Sequence, residues 1–196
     1  MIFRNLLFAA GMLASAASSA ATFNYTAINI DDDSVLSGTF GWNPVGAVDT
    51  NPSADRGEYA GAGFWTGTIT CGTCTLNGTN FAFDPMKVEI YDNLNIAGNT
   101  SDELYMTTSD YLDGSYIDIM DLFGDWFSGD ALPTSLPEMG SFQFARMFLG
   151  SEIVDPGNYL QYDLTEVSAV PVPPAIWLFG SALAGFVGWS RRRQNA

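Results

Sequence analysis

The stretch TFNYTAINIDDDSVLSGTFGW, residues 22–42, decides how the chain is read. In TFNYTAINI (22–30) apolar and polar residues alternate at the period of a strand that buries one face. Asp31, Asp32 and Asp33 break the run, and VLSGTFGW (35–42) resumes it. Two alternating runs joined by a polar turn predict a hairpin. The same grammar recurs downstream. Further strands are predicted at FWTGTIT (64–70), TNFAFDPMKVEIYD (79–92), ELYMTT (103–108), SYIDIMDLF (115–123), SFQFARMFL (141–149) and YLQYDLTEVSAV (159–170). Pro85 marks a bulge or an edge in the second of these, because it has no N–H to give to a ladder. SYIDIMDLF alternates less cleanly and also fits a short helix. Residues 43–63 and 92–102, rich in Gly, Pro, Asn and Asp, read as loops. Some nine short strands with irregular loops predict an all-β domain, an antiparallel β-sandwich over residues 21–169.

The ends read differently from this body. MIFRNLLFAAGMLASAASSA (1–20) has one early cation, Arg4, then an apolar run and small residues. That is the layout of a secretory signal peptide, with a cut expected after Ala20 or after Ala21. At the other end the run from Pro173 to Trp189 carries no charge. As a helix it would be about 26 Å long at 1.5 Å per residue, just enough to span a membrane core of about 30 Å with local thinning. Arg191, Arg192 and Arg193 follow it, as a cytoplasmic stop does. One transmembrane helix over 173–189 is therefore expected, with the body exported. Gly180, Ala184 and Gly188 lie four apart on one face of that helix, where small residues allow close approach of a second helix.

The segment VPVPPAIWLFGSALAGFVGWSRRR, residues 170–193, resembles the PEP-CTERM sorting signal. That signal consists of a proline motif, an apolar helix and a basic tail, in this order. The resemblance implies export and processing near Pro171, Val172 and Pro173 by an exosortase-like membrane enzyme. It also implies delivery to the cell surface or an exopolysaccharide-rich extracellular matrix. The chain has Pro-Val-Pro where the motif has Pro-Glu-Pro. SGDALPTSLPEMGSFQFARMFL (128–149) and SVLSGTFGWNP (34–44) resemble segments of other β-rich PEP-CTERM proteins, and no catalytic residue accompanies that likeness.

Charge and composition bound the function. The formal net charge is −15, and all 22 acidic residues fall in the exported body, against Arg56, Lys87 and Arg146 there. Such a surface repels nucleic acid. The chain contains no histidine, which removes the usual general base near neutral pH and the commonest zinc ligand. A non-enzymatic envelope or matrix protein is the leading expectation, and a carbohydrate-binding module stacking sugars on Trp42, Trp65, Tyr91 and Trp126 is the alternative. A hydrolase using two carboxyls about 5 to 9 Å apart is the remote one. Asp110, Asp113, Asp118 and Asp121 form a candidate calcium cluster, with Asp31, Asp32 and Asp33 as a second, although neither shows the alternating acids of a calcium loop. Cys71 and Cys74, the two cysteines, form a CxxC in a hairpin connection. Disulfide, redox centre and partial metal site are all open, and export favours the disulfide.

Overall fold

The computed structural model describes residues 20–43, 47–53, 55–96, 98–108, 114–122, 126–133, 135–154 and 158–170. Eight strands run in chain order: β1 Ala21–Asn29, β2 Val35–Trp42, β3 Arg56–Thr70, β4 Asn80–Ile96, β5 Asn99–Thr107, β6 Tyr116–Asp121, β7 Phe144–Leu149 and β8 Leu160–Ala169. Each pairs antiparallel with the next, and β8 returns to pair with β1. The expected sandwich is thus corrected to a closed eight-stranded barrel. Alternation cannot separate the two architectures, since both bury every second residue. Closure is decided by a pairing between the first and last strands, Phe23 opposite Ala169 through Asn29 opposite Tyr162.

Two features bend the sheet enough to close it. β3 and β4, 15 and 17 residues long, are interrupted by register shifts between Ala60 and Trp65. Such irregularities kink a strand and increase its twist. Pro85 lies in this irregular stretch, between the Gly63–Met86 and Trp65–Phe83 pairs. Glycine at the barrel wall is the second device. Tyr25, Gly38, Gly67 and Phe81 form one cross-strand row on the inner face. A Cβ on Gly67 would lie 2.7 Å from the Tyr25 hydroxyl and 2.3 Å from the Phe81 ring, so these two rings need the space that glycine leaves. The next row, Phe23, Phe40, Trp65 and Phe83, is aromatic throughout. Inside the wall, Tyr25 Oη accepts the Trp65 indole N–H at 2.6 Å and donates to the Thr66 carbonyl at 2.8 Å. Leu36, Ile69, Val88, Ile90, Leu104, Met106, Ile117, Ile119, Met147 and Leu149 complete an apolar interior.

The sequence-predicted loops at 43–63 and 92–102 are partly strand. β3 begins at Arg56, while β4 and β5 meet around Gly98. Some of their polar residues sit at irregularities of the ladder. Asn93, for example, has φ 59°, and its N–H donates to Asp102. SYIDIMDLF contains a strand, not a helix. The expected signal peptide (1–20) lies, apart from Ala20, outside the described residues, as does the expected helix 173–189. Among the described residues no helix is long and apolar enough to cross a membrane.

Candidate functional site

An up-and-down barrel has two ends. The turns after β1, β3, β5 and β7 gather at one of them, here called the mouth. Asn29 Oδ1 accepts the N–H groups of Asp31 and Asp32, and Asp32 Oδ1 accepts that of Ser34 at 2.9 Å, which fixes the β1–β2 turn. In the β3–β4 turn, Cys71 N–H donates to Asn77 Oδ1 at 2.9 Å, and Gly78 takes φ +78°, a conformation natural to glycine. Glu152, after β7, accepts from Thr108 Oγ1 and from both N–H and hydroxyl of Ser115, joining two further turns. The turns after β1 and β3 and residues 151–154 after β7 line a cavity of about 560 Å³, which takes in Asp32, Ser34, Cys74, Leu76, Glu152, Ile153 and Tyr162.

Cys71 and Cys74 stand on its rim as free thiols, which corrects the expected disulfide. The loop brings the two sulfurs together without joining them. Cys74 N–H donates to Cys71 Sγ at 2.9 Å, and the Cys74 thiol also hydrogen-bonds that sulfur. Those contacts lower the Cys71 pKa and raise that of Cys74. Asp32, from the neighbouring turn, comes within the same cluster. No spacing rule reaches from Asp32 to Cys71, so the sequence could name the thiols but not their third neighbour.

A second constellation lies on the outer wall. Strand alternation turns Glu89, Tyr91, Glu103, Tyr105, Tyr116 and Asp118 outward while Val88, Ile90, Leu104, Met106, Ile117 and Ile119 face in. Glu89, Tyr105, Asp118, Arg146 and Asp163 form one row across β4 to β8. Glu89 accepts from Lys87 at 2.7 Å, Arg56 at 3.0 Å and Tyr91 at 2.6 Å. Burial opposes its ionisation, but the hydrogen bonds from Lys87 and Tyr91 and the charges of Lys87 and Arg56 outweigh burial and hold its pKa below the usual range. Glu103 and Asp118 behave otherwise. They are largely buried and hydrogen-bonded to each other. Burial and the Asp118 charge push Glu103 up to about 8, so it keeps a proton near neutrality and donates it to Asp118. Burial raises Asp118 to about 6, against the pull of Glu103 and Arg146. Beside the pair runs a ring sequence: Tyr105–Tyr116 at 5.3 Å, Tyr116–Phe148 at 4.3 Å and Phe148–Tyr159 at 6.0 Å.

The sequence-named residues are distributed unevenly over these sites. Trp42 and Trp65 are fully buried in the interior. Tyr91 carries Arg56 over its ring, and Trp126 stacks on Phe127, so the four aromatics proposed for sugar stacking form no shared surface. Asp110 and Asp113 lie outside the described residues. Asp118 and Asp121, three apart on β6, point to opposite faces of the wall, so the structure does not bring them together. Asp31 and Asp33 are solvent-exposed on either side of Asp32. Pro171, Val172, Pro173, Gly180, Ala184, Gly188 and Arg191 to Arg193 lie outside the described residues. Glu103 and the Glu89 network were missed. The signal was present, as acids at alternating positions of strongly apolar strands, but 22 acidic residues hid it. Comparison of the chain with family models, with curated proteins and with solved structures finds no match.

Proposed function

We propose that this chain is a non-enzymatic, exported protein of the cell envelope or extracellular matrix, sorted through its C-terminal segment and associated with exopolysaccharide. The supporting observation is where the barrel closes. β1 starts at Ala21, at the expected signal cut, and β8 ends at Ala169, just before the proline motif. The two strands satisfy each other's ladder, and Val170 N–H donates to the Thr22 carbonyl. A sheet closed in this way has no free edge. Removal of the flanking segments by a signal peptidase and an exosortase-like enzyme leaves the ladder between β1 and β8 intact.

Intact-mass measurement of protein from the native host tests the sorting. Mature wild-type protein is expected to begin near Ala21 and to lack Arg191, Arg192 and Arg193. Replacing Pro171 and Pro173 by alanine is expected to leave an uncut precursor. Wild-type surface protein retaining its chain through Ala196 would defeat the reading.

A second reading, carbohydrate binding, is favoured by the outer ring sequence. Tyr116 and Phe148 stack on each other and so present edges, whereas Tyr159, 66% exposed, keeps a face for a sugar. Affinity electrophoresis in gels containing the host exopolysaccharide is expected to retard the wild type and not Tyr159→Ala. Equal mobility of the two removes this reading.

A further inference from the structure

Asp32 meets the two thiols from a different hairpin. Cys71 Sγ, Cys74 Sγ and a carboxylate oxygen of Asp32 all lie within 4.8 Å of one another. We propose that this cluster binds one borderline-soft divalent transition metal of the zinc type, held by two thiolates and one carboxylate. The site stands on the geometry of the mouth and does not depend on the export reading.

The donor set selects the metal class. Thiolates disfavour calcium and magnesium, which take oxygen ligands, and two sulfurs with one oxygen suit tetrahedral zinc. With zinc–sulfur bonds of about 2.3 Å, the two sulfurs of a tetrahedral site stand about 3.8 Å apart. The sulfur pair therefore needs a contraction of at most about 1 Å and each sulfur–oxygen pair slightly more, small for side chains on turns. Both turns are already held in shape. Asn77 holds the Cys71 backbone, and Ser34 holds one oxygen of Asp32, leaving the second oxygen of that carboxylate as the ligand. The N–H of Cys74 aimed at Cys71 Sγ is the kind of outer hydrogen bond that orients a ligand and stabilises its charge.

Three protein ligands leave a tetrahedral ion with one further position. Cys74 and Asp32 both line the mouth cavity, so that position opens toward Ser34, Glu152 and Tyr162. Closed structural zinc sites use four protein ligands, whereas an open position accepts water or a small anionic donor. The bound ion would thus tie the β1–β2 turn to the β3–β4 turn and offer the cavity an electrophilic floor. Binding converts two thiols to thiolates and releases two protons, with no electron transferred.

The experiment uses the full chain, reduced and freed of metal, titrated with Co²⁺ and then with Zn²⁺ in competition. One Co²⁺ per chain is expected, with a thiolate-to-cobalt charge-transfer band, and one equivalent of Zn²⁺ should abolish it. Cys71→Ser and Cys74→Ser should each lose the band. Asp32→Asn should weaken binding at least tenfold, and Asp33→Asn should leave it unchanged. If a serine variant unfolds the β3–β4 turn, Asp32→Asn carries the test from the other hairpin, with circular dichroism as the check of fold. Absence of the band in reduced wild type overturns the proposal. So does a band that survives either serine variant, or an Asp32→Asn affinity no different from that of Asp33→Asn.

Discussion

The two ends of the barrel are finished in opposite ways. At the end that carries Ala21 and Ala169, residues 126–133 and 135–142 fold across the opening as a plug. Phe127 is buried there, and Leu132, Leu136, Met139 and Phe142 pack against the core. Polar groups of the wall fasten the segment. The Trp42 indole donates to the Pro133 carbonyl, Tyr59 Oη to the Asp130 carbonyl at 2.9 Å, and the Phe127 N–H to Asp102 Oδ2 at 2.6 Å. At the mouth, by contrast, short turns are held by side-chain hydrogen bonds around an open cavity. One end is covered by an extension of the core, and the other keeps an open cavity whose rim sets polar groups beside Leu76 and Ile153. Stability should therefore concentrate at the plugged end, and sensitivity to bound ions at the mouth.

The largest effect expected is at the plug. Phe127→Ala should destabilise the barrel by about 3 kcal/mol, as a lost core aromatic does. A urea midpoint displaced by less than a third of that would mean the plug is an ornament on a self-sufficient barrel. Asp102→Ala should cost about 2 kcal/mol, because it orphans the N–H groups of both Asn93 and Phe127. The double variant should fall short of additivity, since the two changes share the Phe127 contact. Full additivity would separate Asp102 from the plug.

This contrast was legible in the sequence only in part. Alternation at 22–30 and 35–42 located β1 and β2, because every second side chain enters one continuous interior. The barrel itself was not legible. The partner of β1 lies at the far end of the chain, and a pairing such as Phe23 with Ala169 leaves no local trace. For the same reason the cysteines were visible while Asp32 beside them was not. The plug was not legible either, since ALPTSLP offers prolines, a threonine and a serine around the few apolar residues that reach the core. The cysteine pairing was misjudged because expected compartment, not loop geometry, carried the argument.

The wall between the two ends should answer to pH. Glu103, raised to about 8 by burial and by Asp118, and Asp118, raised to about 6 by burial, both hold protons more tightly folded than unfolded. Their contribution to stability is fully present below the unfolded carboxyl range, near pH 4, and is lost as pH rises through about 8. Glu89, depressed by Lys87, Tyr91 and Arg56, is already ionised through the upper part of this window and opposes the trend only in acid. Urea midpoints measured from pH 5 to 8.5 should decline, and Glu103→Gln should flatten the decline. A wild-type midpoint that rises across this range would remove the shared proton from the account.

The smallest effect should come from the mouth without metal. Both cysteines are only partly buried on the rim, and of the two only Cys74 packs against the core. A serine replaces sulfur with a smaller oxygen able to accept the same Cys74 N–H, so Cys71→Ser removes little packing and orphans no donor. Surface changes of that kind stay within about 0.5 kcal/mol. Metal-free chemical denaturation of Cys71→Ser beside wild type is the measurement. A loss of 1 kcal/mol or more would show that the rim closes its end of the barrel as the plug closes the other. If the two curves coincide, the thiols are spared from holding the fold together. Their position beside Asp32 then follows from what the mouth binds.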